Sequence, residues 1–156
     1  MKFRTFAFAA ATTAIAAMVG AVAPAQAQTR TLNMQSSFPA NSTAHDAFKM
    51  FAERVDKLTG GALKSSPAPA GKIVPAFEVL DATHKKVLDG SQSVDYYFTG
   101  KNKAFTLFSN TPAGIFGMDH FDYLGWFYEG GGRELNEEFL QKDMKLNVVA
   151  FPLWGP

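Results

Sequence analysis

Residues 70–90 read AGKIVPAFEVLDATHKKVLDG, and the interpretation of this stretch decides the fold. Gly71 offers a turn, and Pro75 suits the first turn of a helix, where its missing N–H costs nothing. Phe77, Leu80, His84, Val87 and Leu88 then recur on one helical face, and Gly90 supplies a stop. The stretch therefore predicts a loop leading into a helix, a unit that connects strands when strands flank it.

Working outward, Thr31 to Gln35 alternates, with Leu32 and Met34 opposite Asn33 and Gln35, before Ser36, Ser37 and Pro39 break the pattern. This predicts a short strand running into a loop. Asn41, Ser42 and Thr43 offer N-cap oxygens, and Thr43 with Asp46 has capping-box spacing. Phe48, Phe51, Ala52, Val55 and Leu58 follow at helical intervals, so a helix is expected from Ala44 to Leu58, stopped by Gly60 and Gly61. A second strand after Leu63 meets Pro67 and Pro69, which remove ladder donors and restrict it to a poorly paired edge.

Beyond Gly90, Ser93 to Phe98 reads as a third strand ending in Tyr96-Tyr97-Phe98. The alternation of strands and helices implies crossover units and an α/β layer architecture. A short helix is expected over Ala104 to Phe108. Asp119 caps another, carrying Phe121, Leu124, Trp126, Phe127 and Tyr128 and ending at Gly130-Gly131-Gly132. A helix from Arg133 to Lys142 and a strand from Asn147 to Phe151 complete the pattern.

The N-terminus has Lys2 and Arg4, an alanine-rich apolar run from Phe6 to Val22, Pro24 and the triplet Ala25-Gln26-Ala27. This is the pattern of a secretory signal peptide over residues 1–27, leaving 28–156 as the mature part. Its removal leaves 13 basic against 14 acidic residues, a balance that gives no support to nucleic-acid binding. The chain has no cysteine, so a fold of about 130 residues must rest on burial alone. A bacterial periplasm fits this better than a disulfide-stapled secreted scaffold.

Catalytic signatures are absent: there is no G-x-S-x-G, H-E-x-x-H or Walker loop. The histidines, His45, His84 and His120, have no second histidine or cysteine at metal-ligand spacing. Asp81 and His84 lie one helical turn apart and could pair as an ordinary boundary interaction. Asp119, His120 and Asp122 form the only cluster on which an exported hydrolase could be built, although Asp119 reads better as an N-cap and Asp122 as a first-turn acid. The triglycine could present amides to an anion, but a tight helix-to-helix turn explains it as well.

Open α/β sheets place ligands beyond the C-terminal ends of their strands. By that argument Tyr96 and Tyr97 are candidate ligand contacts, as are Gln35 and Ser36 at the end of the first strand, whose alternative role is loop hydrogen bonding. Trp154 could line either core or cleft.

The opening stretch resembles the corresponding part of the solute-binding proteins of tripartite ATP-independent periplasmic (TRAP) transporters, particularly the branch for 2-oxo acids and related small carboxylates. Supporting segments are TLNMQSSFPA, FAERVDKLTGG, LFSNTPAGIFGMD, LGWFYEGGG and LNVVAFPLWGP, in this order. The resemblance implies a periplasmic-binding-protein-like (type II) α/β lobe, truncated before the second lobe is complete, with no enzymatic activity. It implies binding of a small organic carboxylate such as pyruvate, delivery to TRAP membrane permease subunits, no nucleic acid, and admits a homodimer.

Phe77 would face the cleft or the core beneath it. Sodium or calcium belongs to the intact family pattern, but the resemblance places the cation ligands and the carboxylate-gripping arginine beyond Pro156. Arg30, Arg54 and Arg133 do not occupy the clamp position. The Pro67 to Pro69 segment and Thr83-His84-Lys85-Lys86 depart from the pattern, so half a clamp with weak binding, or a remnant without a ligand, stands beside the receptor reading.

Overall fold

The computed structural model describes residues 29–109 and 117–151. The signal-peptide expectation lies outside the described residues. The predicted first strand is split in two: β1 is Arg30–Leu32 and β2 is Met34–Ser36. Asn33 interrupts them because its side chain is engaged elsewhere. Its Nδ2 donates to Val87 O at 3.0 Å, and its backbone exchanges bonds with Asp89, N to Oδ2 and O from N, each at 2.8 Å.

Helix α1 spans Thr43–Leu58. Of the offered caps, Ser42 is used: its Oγ accepts from His45 N at 3.2 Å. Ala44, His45, Phe48 and Ala52 form the buried stripe, while Leu58 is exposed. At the C-terminus Gly60 takes φ +58, with Gly61 N donating to Asp56 O and Gly60 N to Lys57 O. These are the two bonds of a Schellman ending.

β3, Leu63–Ser65, pairs in parallel with β1, Arg30 opposite Leu63 and Leu32 opposite Ser65. The prolines that follow do not end the contact. Ala68, between Pro67 and Pro69, donates to Met34 O and accepts from Ser36 N, both at 2.8 Å. Successive strand residues turn their N–H groups to opposite sides, so the N–H groups that Pro67 and Pro69 lack would have pointed away from β2.

The decisive helix is shorter than expected. Pro75 precedes a 3-10 turn, Ala76–Glu78, and α2 proper runs only from Val79 to His84. It closes with Val87 N on Ala82 O at 2.8 Å and Lys86 N on Thr83 O at 3.0 Å, the same Schellman pair. Lys86, at φ +60, stands where a glycine would be ordinary. The buried face is Val79 and Ala82, joined by Leu88 from the turn, while Phe77 and Val87 are exposed. Gly90 opens a strand instead of stopping a helix.

That strand, β4, is Gly90–Gln92, parallel to β2 with Gln35 opposite Ser91. The expected strand over Ser93 to Phe98 is not formed. Asp95–Phe98 is a 3-10 turn, which lets Phe98 enter the core while Tyr96 stays exposed. A third 3-10 segment, Lys103–Leu107, occupies the expected short helix.

Helix α3 is His120–Glu129, with Asp119 Oδ1 accepting from Asp122 N at 2.9 Å. Helix α4 is Gly132–Glu138, continued by a π turn over Phe139–Asp143. Between them Gly131 takes φ +86, and Gly132 lies so close to Phe127 and Trp126 that a Cβ there would fall 2.7 Å from Phe127 Cα. The triglycine is a packed helix-to-helix turn.

Residues 147–151 form no strand among the described residues, although burial alternates there, with Val148 and Ala150 packed against the core and Val149 and Phe151 exposed. The core gathers Val79, Ala82, Leu88, Phe98, Phe105, Phe108, Phe139, Leu140 and Leu146. It joins α2 and its closing turn to the 3-10 segments and the C-terminal half of the chain. No described helix is long and apolar enough to cross a membrane.

Candidate functional site

The C-terminal ends of β2 and β4 are organised by three consecutive polar residues. Gln35 is fully buried: its Oε1 accepts from Ile73 N at 2.7 Å and Val74 N at 3.0 Å, and its Nε2 donates to Val74 O at 2.7 Å. Ser36, equally buried, donates to Gln92 Oε1 at 2.7 Å and accepts from Phe38 N at 3.0 Å. Gln92 Nε2 in turn donates to Ala44 O at the start of α1. Ser37 Oγ donates to Ala76 O at 2.7 Å and lies 2.9 Å from Ser93 Oγ.

These bonds fix two loops, one carrying Phe77 and the other Tyr96 and Tyr97. Tyr97 is the hub of the resulting aromatic cluster. Its ring centroid lies 4.9 Å from Phe77 and 4.9 Å from Tyr96, both edge to face, and 6.0 Å from Phe38. Phe77 is 60% exposed and Tyr96 46%, so the cluster presents ring surface to solvent. Burial first, and the neighbouring Tyr96 second, hold the Tyr97 phenol above its ordinary range. It stays a neutral O–H donor at physiological pH.

Asp95, immediately before the tyrosines, was not singled out from the sequence. Burial pushes its carboxyl up to about 7, near the working pH of the compartment expected from the sequence. Across from it, Tyr123 on α3 donates to Phe108 O at 3.3 Å and is pushed up to about 12, mainly by burial and then by the charge of Asp95. No local signal marks Asp95, because its surroundings include Tyr123 of α3, remote in sequence.

The structure therefore brings Phe77, Tyr96 and Tyr97 together at the surface and places Gln35 and Ser36 underneath them. Trp154 lies outside the described residues. The Asp81 and His84 pairing does not form: Asp81 Oδ2 accepts from Lys101 Nζ at 2.6 Å, and His84 Nδ1 accepts from Asn147 N at 2.9 Å. Around the rival cluster, Asp119 is spent on its cap and His120 Nδ1 is buried without a hydrogen-bond partner among the described residues. Among the described residues no group of three or more His, Cys, Asp or Glu comes together to hold a metal ion.

Comparison with known proteins bears on the family of the chain. The profile of the bacterial extracellular solute-binding proteins of family 7, DctP, matches residues 34–154. A monocarboxylate 2-oxoacid-binding periplasmic protein from Nostoc sp. is 29% identical over 119 residues, covering 76% of this chain and 31% of its own length. A TRAP transporter solute-binding protein from Bordetella bronchiseptica, a mixed-occupancy dimer with copurified calcium and picolinate in one active site, superposes with a TM-score of 0.69 at 25% identity. That match covers 78% of this chain and 35% of the other.

A TRAP periplasmic solute-binding protein from Pseudoalteromonas atlantica, with bound sodium and pyruvate, gives a TM-score of 0.64 at 28% identity, covering 71% and 33%. The chain thus spans about a third of the length of the relatives it matches. The exported-hydrolase reading falls with these matches, since they are to proteins that bind and do not transform. A profile match over most of the sequence and a shared α/β fold lead to one assignment: the chain belongs to bacterial extracellular solute-binding protein family 7, a family of binding proteins and not of enzymes.

Proposed function

We propose that this chain takes part in the periplasmic capture of small carboxylates, 2-oxo acids such as pyruvate, for delivery to TRAP permease subunits. The observation that carries the reading is the Tyr97-centred aromatic face at the C-terminal ends of two parallel strands, where open α/β folds receive ligands. A 2-oxo acid is small and flat, with acceptor oxygens at one end. Ring surfaces of Phe77 and Tyr97 suit its plane, and the phenol hydroxyls of Tyr96 and Tyr97 suit its oxygens. Gln35 and Ser36 contribute from below by holding the loops. The pyruvate-bound and 2-oxoacid-binding relatives support this choice of ligand. Residues 1–27 serve as the export signal in this reading.

A single face leaves much of the ligand open to water, so a dissociation constant of about 1 mM is expected. At that affinity, 10 mM pyruvate stabilises the chain by about 1.4 kcal/mol, a rise of several degrees in melting temperature. Ethylamine and sodium chloride at matched ionic strength should leave the melting temperature unchanged. No stabilisation by pyruvate, or equal stabilisation by ethylamine, would contradict the proposal.

A further inference from the structure

We infer that Gln35 is a positioning residue that sets Phe77 against Tyr97 and so shapes the ligand face without touching the ligand; the inference rests on the reading of that face given above. A carboxamide has one acceptor oxygen with two lone pairs and two N–H donors. Here two backbone N–H groups, from Ile73 and Val74, fill Oε1, and Nε2 donates to Val74 O, so every bond shown goes to one loop. With no exposed surface, Gln35 cannot reach a ligand in the cleft.

Other ties flank the restrained loop: Ala70 N donates to Phe38 O at 2.9 Å, and Val74 packs against the core. Ile73 is 41% exposed, and among the described hydrogen bonds the backbone groups of Ile73 and Val74 are engaged by Gln35 alone. Three residues later the chain reaches Phe77, whose ring is mostly in solvent and packs on Tyr97. The next tie is Ser37 Oγ to Ala76 O, from the following inward-facing position of the same chain segment. The end of β2 thus latches the loop at two points before Phe77, and the other anchor of Ser37, Ser93, precedes the tyrosine turn. A buried side chain whose partners all lie in one loop acts on that loop's geometry.

The inference is tested by nuclear magnetic resonance on the full chain, comparing wild type with Gln35→Met and Gln35→Glu. Methionine fills the volume and removes all three bonds. The expected result is loss of amide protection at Ile73 and Val74 and of the Phe77 to Tyr97 ring contact, with the β2–β4 ladder amides still protected and pyruvate affinity reduced about tenfold or more. Retention of the ring contact in folded Gln35→Met would overturn the inference. Should Gln35→Met fail to fold, Gln35→Glu decides: it keeps the acceptors but, ionised, repels Val74 O, so the ring contact weakens while the ladder persists. An unchanged ring contact in Gln35→Glu would overturn the inference equally. If wild type itself binds no pyruvate, the functional reading fails, and the ring contact still decides the role of Gln35.

Discussion

Phe77 and Tyr97 meet edge to face, with centroids 4.9 Å apart and ring planes inclined at 70°, although they come from separate loops beyond two different strands. Edge-to-face pairs contribute about 0.5–1.5 kcal/mol beyond area burial. A double-mutant cycle on Phe77→Ala and Tyr97→Ala, followed by urea unfolding, should return a coupling within that range. A coupling near zero would mean that the rings are neighbours without being partners.

Asp95 makes stability depend on pH. Its carboxyl rises from an ordinary 3.8 to about 7 because burial disfavours its charge. The folded chain therefore holds this proton more tightly than the unfolded chain, and the contribution is complete below about pH 4 and lost as pH rises through about 7. Asp95 is only partly covered, so the change is expected to be about 1–3 kcal/mol, below what full burial would give. Wild type should lose stability between pH 5 and pH 8 relative to Asp95→Asn. Parallel pH profiles for the two proteins would refute the placement of Asp95.

Lys86 holds a left-handed conformation at φ +60 to end α2. A side chain there costs about 1–2 kcal/mol, which glycine avoids while giving up some unfolded-state restriction. Lys86→Gly should therefore stabilise the chain by about 0.5–1 kcal/mol in chemical denaturation. A destabilised variant would show that the Lys86 side chain makes a contribution larger than its backbone strain.

Gly132 is fixed by contact. A methyl group would sit 2.7 Å from Phe127 Cα and 2.9 Å from the Trp126 ring, with backbone on one side. Gly132→Ala should cost about 1–3 kcal/mol, read as a lowered melting temperature, by forcing α3 and α4 apart. Gly131→Asn, at φ +86 with open space around its Cβ, should cost less. The reverse order would contradict the packed-turn account.

The elements that were legible in the sequence are those whose ends carry local chemistry. α1 and α3 were placed by Ser42 and Asp119 and by glycines following them. α2 was drawn too long because its stop is a lysine, and no composition rule flags a lysine as left-handed. The aromatic run at Tyr96-Tyr97-Phe98 has strand propensity, yet a tight turn satisfies it better by sending Phe98 inward and Tyr96 outward. Asn147 to Phe151 alternates in burial as a strand should, but pairing is a long-range matter that alternation cannot supply.

For the candidate site, position at a strand end proposes Tyr96 and Tyr97, although the strand they follow is β4 and they sit in a 3-10 turn instead of ending a strand themselves. The same argument placed Gln35 and Ser36 at a strand end without saying which way they point. Burial of Gln35 depends on a loop that is remote in sequence, and Asp95 depends on helix α3, so neither role could be read locally.

The most direct test of the receptor reading is a pyruvate titration of isotope-labelled chain, mapped by chemical shift. The account predicts saturable shifts at Phe38, Phe77, Tyr96 and Tyr97, with smaller ones at Ile73 and Val74, and a dissociation constant of about 1 mM. Shifts that cluster around Asp119 and His120 instead, or a spectrum that pyruvate leaves unmoved, would contradict it.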